Sequence, residues 1–315
     1  MNKRKITRND EGFITLLQAK ELFLQLKKAK GLTDDSIDNF NTVYMLFLRD
    51  NNLTDDDLID VITNELIYDW IEVMKNKGLK PESINSYLSR MRTFTHYLID
   101  NHNLQPVTIQ LIRYQEEEIK YYTDDELRVL LKKPDSRCSF TEYRTWVIIC
   151  FILSTGARAS TVSNIHLEDI DFKSKEVRYR HLKNKKFAVI PLTNSICNIL
   201  NEYLRTWNLH NCEYLFCDVA EGQLTVSAIR QAFKKYCRKR KVKELSPHAL
   251  RNSFARGWIK NGGGVFQLQQ MLTHSDLTMT RRYVKLFSED LREDVSNFTP
   301  LDSLRQSKVH TVTRK

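Results

Sequence analysis

Residues that interrupt helices are scarce in this chain: 9 glycines and 6 prolines among 315 residues. That scarcity excludes long low-complexity stretches and suits a strongly helical protein. No apolar run approaches the roughly 20 residues that a membrane helix requires. The opening MNKRKITRND is basic but leads into no apolar segment, so neither a secretory signal nor a membrane partner is expected, and the expected location is the cytoplasm. The six cysteines, Cys138, Cys150, Cys197, Cys212, Cys217 and Cys237, form no CxxC pair, and even Cys212 and Cys217 lack zinc-site spacing. Buried free thiols are the reading that remains. A P-loop pattern is missing, in keeping with chemistry that needs no nucleotide cofactor. Also missing is a cluster of Asp and Glu of the kind that holds two magnesium ions in nucleases, so no metal is expected.

What is present is charge of one sign in excess. The 49 Lys and Arg against 39 Asp and Glu leave a formal net charge of +10, which favours polyanionic partners, nucleic acid first. Apolar residues at 41% and charged residues at 28% fit a folded globular protein, and the length allows two domains. Residues 1–103 read as a helical set. One helix spans 15–30 and ends before Gly31, a second opens at Thr33-Asp34-Asp35, a third covers 63–77, and a fourth starts near Pro81. The fourth carries Ile84, Tyr87, Leu88, Met91, Phe94 and Leu98 at helical steps, and its other face holds Ser83, Asn85, Ser86, Ser89, Arg90 and Arg92. That face suits either a phosphate backbone or plain solvent.

Periodicity lapses over 104–122, read as a linker. Thr123 and Glu126 then make a capping-box signature that opens a second domain, 123–289. It holds an apolar helix over 142–156 and two β-like runs, EVRYRHL and FAVIPL, joined at the basic turn Lys183-Asn184-Lys185-Lys186, before helical pattern resumes from about 193. The fold class expected is mainly α with a small antiparallel β-sheet. Residues 290–315 form a tail.

Five stretches carry chemistry: Thr155-Gly-Ala-Arg158, Lys183, His248-Ala-Leu-Arg251, Leu272-Thr-His274 and Arg281-Arg282-Tyr283. Singly, each has an ordinary reading: a surface arginine, one turn lysine of several, a capping histidine, a core tyrosine. Together they supply what metal-free cleavage of a phosphodiester demands. A pentavalent phosphorane gathers negative charge that preorganised cationic donors must meet, and two guanidinium forks can hold its non-bridging oxygens. A phenol with pKa near 10 is a poor nucleophile in water, and arginines around the phosphate stabilise the charge that develops as it attacks. A hairpin lysine can give the leaving oxygen its proton, and histidines add donors and a proton shuttle.

In the order Arg, Lys, His-x-x-Arg, His, Tyr, and in the blocks TGARAS, SPHALRNSFA and LTHSDLTMTRRYV, the chain resembles the tyrosine recombinases, or phage integrases. The resemblance covers about 143–290, and the helical N-terminal region is similar in kind to the family's core-binding domain. It implies a catalytic set of Arg158, Lys183, His248, Arg251, His274 and Tyr283, with the arginines clamping the scissile phosphate, Lys183 as general acid (Lys185 and Lys186 being near alternatives) and Tyr283 forming a 3′-phosphotyrosine. It further implies double-stranded DNA with short inverted core sites as partner, a homotetramer in the synaptic complex, and a C-terminal tail exchanged between subunits. A second recombinase or an accessory factor belongs among the partners the family uses.

The pattern also has departures. Thr161 stands where family members often carry an acid, which puts an acid brace for Arg158 in doubt, though Glu168 or Asp169 could substitute. Thr273 replaces a usual glycine, and Asn252 a frequent histidine. The run 234–243, KKYCRKRKVK, has seven basic residues and no acid; Lys234, Lys235, Arg238, Lys239 and Arg240 are read as phosphate contacts, beside Arg90 and Arg92. About a dozen residues precede the first helix, which points to a compact Xer-like or transposon-type member rather than one with an arm-binding domain. Integration or excision of a mobile element is preferred, on the stretches LTHSDLTMTRRYV and NFTPLDSLRQSK. Chromosome or plasmid dimer resolution is the alternative, with topoisomerase IB activity or a non-cutting DNA-binding role behind it.

Overall fold

The computed structural model describes residues 14–115, 118–180, 187–210, 212–274 and 276–287. The chain divides into two compact units, Met1–Glu117 and Glu118–Lys315. In the first, α1 (Leu16–Ala29), α2 (Asp34–Asp50), α3 (Asn64–Asn76) and α4 (Pro81–His102) form a bundle. Each start is dictated locally. Thr15 and Gln18 make a capping box, Thr63 caps α3, and Pro81 sits at the first helical position of α4. The core is aromatic: Phe23, Phe40 and Phe94 meet with ring centroids 4.9–5.5 Å apart, and Phe47 meets Trp70 edge-on at 5.0 Å.

The stretch read as linker is ordered at both ends. Leu104, Val107 and Ile109 are buried in the first unit's core. Asn85 on α4 holds the backbone of Ile112 through both its N–H and its carbonyl, each at 2.8 Å. At the far end Tyr122 is buried in the core of the second unit. These apolar residues are buried without regular secondary structure, which helical periodicity does not reveal.

The second unit is built around α6 (Phe140–Thr155), a helix apolar all round from Trp146 to Leu153 and buried along most of its length. Around it stand α5 (Asp124–Leu131), opened by the Thr123–Glu126 capping box, α8 (Asn194–Thr206), α9 (Val226–Lys239) and α10 (Pro247–Lys260). The short α7 (Ala159–Ser163) follows α6, and α11 (Val265–Met271) and α12 (Leu277–Phe287) pack on α10. The sheet is antiparallel, in the order β1 (Ile170–Asp171), β2 (Glu176–Tyr179), β3 (Ala188–Pro191), with Val177 opposite Ile190. β2 and β3 are the two runs expected; β1 is two residues long, too short to leave a pattern. All six cysteines are free thiols, five buried and Cys138 half-buried.

Candidate active site

The turn between α11 and α12 organises the site. α11 ends in a Schellman motif, in which His274 N–H donates to the Gln269 carbonyl at 3.1 Å and Thr273 N–H to the Gln270 carbonyl at 2.9 Å. Thr273 takes the left-handed position of that motif, φ +50°. The Leu272 carbonyl then turns toward the arginines. Arg251 donates to it from Nη2 at 2.6 Å and Arg158 from Nη1 at 3.4 Å.

Arg251, on α10, is 1% exposed. Its Nη1 donates to the Gly156 carbonyl at 2.6 Å, and its Nη2 also meets His274 Nε2 at 2.8 Å. Gly156 is needed at the end of α6, because φ is +68° and a Cβ would lie 2.7 Å from Phe254 and 2.8 Å from Leu272. Arg158, half-buried at the start of α7, also donates to the Thr273 hydroxyl at 3.1 Å. Burial, then the charge of Arg158, lowers the Arg251 pKa to about 10, and burial lowers that of Arg158.

A guanidinium can only donate, so His274 Nε2 is the acceptor and Nδ1 carries the proton, donating to Thr280 Oγ1 at 2.9 Å. Burial and the charges of Arg251, Arg158 and His248 hold the His274 pKa down at about 3. In this arrangement His274 is neutral, accepts from Arg251 and donates to Thr280. His248 lies one turn before Arg251 on α10, solvent-exposed. The protein around its ring and the two arginines lower its pKa as well. Tyr283 on α12 is 6% exposed. Its ring stacks on His274 at 6.2 Å between centroids, and its hydroxyl donates to Asn252 Oδ1 at 2.9 Å. Asn252 in turn donates to the Lys120 carbonyl at 2.8 Å. Burial raises the Tyr283 pKa, against the pull of Arg251, Arg158 and Arg282.

Five of the six residues singled out thus converge. The sixth, Lys183, lies outside the described residues together with Lys185, Lys186 and the tail 290–315. Glu168 and Asp169, the acids available to substitute as a brace for Arg158, both pair with Arg180 instead, Glu168 at 2.9 Å. Among the described residues no carboxylate pairs with Arg158. Sequence reasoning missed Thr280, whose signal is a polar residue at a fully buried position one turn before Tyr283.

Much of the basic run is ion-paired within the protein. Glu142 on α6 pairs with Lys239 at 2.6 Å and Arg240 at 3.1 Å, and the Arg240 guanidinium lies 3.6 Å from the Tyr236 ring centroid. Glu244 takes Arg238 through two bonds, 2.8 and 2.9 Å, and Lys234 at 3.7 Å. Lys235 is exposed, with no ion pair among the described residues. In the first unit Arg90 folds back onto Ser86, donating to its carbonyl at 2.8 Å, and Arg92 is half-buried.

Among the described residues, two guanidiniums with no carboxylate partner thus stand beside two neutral imidazoles and a phenol. A model described as the phage integrase family matches residues 120–290, and the chain belongs to that family, the tyrosine recombinases. Over 298 residues it is 25% identical to the tyrosine recombinase XerD of Staphylococcus epidermidis, covering 91% of this chain and 99% of that protein. The XerD of Staphylococcus aureus is 26% identical with the same coverage. The fold is shared with the Tn1549 transposon integrase in complex with transposon right end DNA, at a TM-score of 0.70 and 18% identity over 86% of this chain and 94% of that one. It is shared also with a lambda integrase tetramer bound to a Holliday junction, at 0.67 and 17% over 87% and 78%.

Proposed function

We propose that this tyrosine recombinase cuts and rejoins duplex DNA at short inverted sites through a 3′-phosphotyrosine on Tyr283. The observation that carries the reading is the pair Arg158 and Arg251, brought together on the Leu272 carbonyl with no counter-anion among the described residues. A scissile phosphate would supply the missing charge, and it binds more tightly as negative charge grows in the transition state. In the cleavage step the bond from Tyr283 Oη to phosphorus forms and the bond from phosphorus to the 5′ oxygen breaks. Neutral His248 takes the phenolic proton, and Lys183 protonates the leaving oxygen. Rejoining is the reverse, and the phosphotyrosine conserves the bond energy, so no cofactor enters.

The two units take the roles of a core-binding and a catalytic domain in this reading, with Arg92 and Lys235 among the exposed or half-exposed cations offered to the backbone of DNA. The active species on DNA is a homotetramer, its tails exchanged in trans. The biological role we assign is integration or excision of a mobile element. A second reading, dimer resolution, draws support from the likeness to XerD along nearly the whole of both chains. An excised circle joined at the ends of an element carrying this gene supports the first; conversion of plasmid dimers to monomers in its absence supports the second.

The chemistry is tested on a duplex selected from a random pool by binding to this protein and nicked at successive positions, so that cleavage releases a short 5′-hydroxyl fragment. A covalent complex should accumulate in EDTA, and Tyr283→Phe should form none. An adduct with the phenylalanine variant would show that the nucleophile lies elsewhere.

A further inference from the structure

Thr273 has a side chain that its backbone position disfavours. The left-handed residue of a Schellman motif is ordinarily glycine, because a Cβ there crowds the following carbonyl. Thr273 holds φ +50° with a β-branched side chain, one of the least suited to it. A strained conformation persists where the surroundings use it, and here the use is visible: Thr273 Oγ1 accepts from Arg158 Nη1 at 3.1 Å. The acids near Arg158 in sequence, Glu168 and Asp169, are engaged with Arg180. Among the described residues the acceptors of Arg158 are thus the Leu272 carbonyl and this hydroxyl, both from one turn.

We infer that Thr273 is a positioning residue for Arg158: its hydroxyl fixes one arm of the guanidinium and leaves the rest of the fork turned outward for an anion. A neutral brace does this without cancelling the positive charge, as a carboxylate would. The same turn carries the Leu272 carbonyl and His274, so one strained residue sets the aim of both arginines. The inference rests on Arg158 holding the scissile phosphate, and the two are separable by experiment.

The rate of covalent-complex formation is compared on the selected, nicked duplex for the wild type, Thr273→Val, Thr273→Ser and Arg158→Ala. Valine keeps the branched shape and the strain but lacks the oxygen. It should slow cleavage about tenfold within the bound complex, with duplex affinity unchanged. Serine should restore the rate to within about threefold of wild type. Made in an Arg158→Lys background, Thr273→Val should cost less than about twofold, because the partner through which it acts has changed. Should valine fail to fold, Thr273→Gly removes the same oxygen in a conformation glycine prefers, and the same comparison applies. Wild-type rates for Thr273→Val, or for Thr273→Gly in its place, with Arg158→Ala inactive would overturn the brace and leave the phosphate clamp standing. Wild-type rates for Arg158→Ala would overturn both.

Discussion

Residues 234–243 and the pair Arg158 and Arg251 both concentrate positive charge, and they dispose of it in opposite ways. The run is conspicuous in the sequence, yet Glu142 and Glu244 pair with four of its cations, and Arg240 lies on Tyr236 as a packing group. The two arginines are 93 positions apart and unremarkable one by one, yet they meet on a single carbonyl with no acid to neutralise them among the described residues. A count of basic residues leaves out which of their charges the fold already pairs. The charge available to a ligand is the charge that the fold leaves uncompensated.

The largest test of that contrast is Arg251→Lys. Lysine keeps the charge but cannot reach the Gly156 carbonyl, the Leu272 carbonyl and His274 together. Covalent-complex formation on the nicked duplex should fall by about 10²–10³-fold, the scale of losing one preorganised donor. A loss under tenfold would mean that the uncompensated pair is not what meets the phosphate.

Next comes pH. His274, at about 3, and His248, also lowered, stay neutral in the folded chain, while an unfolded histidine takes up its proton near 6.5. The unfolded state then binds more protons below about 6.5, so stability rises with pH through this window and is lost as pH falls. The paired carboxylates Glu142 and Glu244, whose folded values are lowered by their cations, add their own loss only below about 4.5. Thermal unfolding between pH 6.5 and 4.5 should accordingly show a falling midpoint that His274→Gln flattens. An equal slope in the variant would place the proton uptake elsewhere.

Much of this molecule could be read from its sequence because its signals are local. Thr123 and Glu126 announce α5, Gly156 closes α6, and the spacing of His248, Arg251, His274 and Tyr283 needs no tertiary information. What escaped depends on contacts between distant positions or on the backbone. The Leu272 carbonyl belongs to no side chain. The roles of Asn252 and Thr273 follow from which atoms α10, α7 and the α11–α12 turn bring within hydrogen-bond reach. Glu142 lies about a hundred positions before the cations it neutralises, so the run looked free. Burial of Leu104, Val107 and Ile109 likewise rests on packing with core residues of the first unit's helices, which a lapse in periodicity cannot show.

The smallest effects sharpen the comparison most finely, because they divide the run itself. Arg240→Ala should lower stability by about 1–2 kcal/mol through loss of the stacked, half-buried pair, a fall of about 2–5 °C in the unfolding midpoint. It should leave the salt dependence of duplex binding as it was. Lys235→Ala should do the reverse: an unchanged midpoint and a slope of log affinity against log salt reduced by about 1, one phosphate contact's worth. Titrations of both variants at several salt concentrations, with melting curves alongside, decide between the two uses of charge. Were Arg240→Ala to shift the slope and Lys235→Ala not, the buried pair would have to open on DNA, and the division between compensated and available cations would fail inside its own helix.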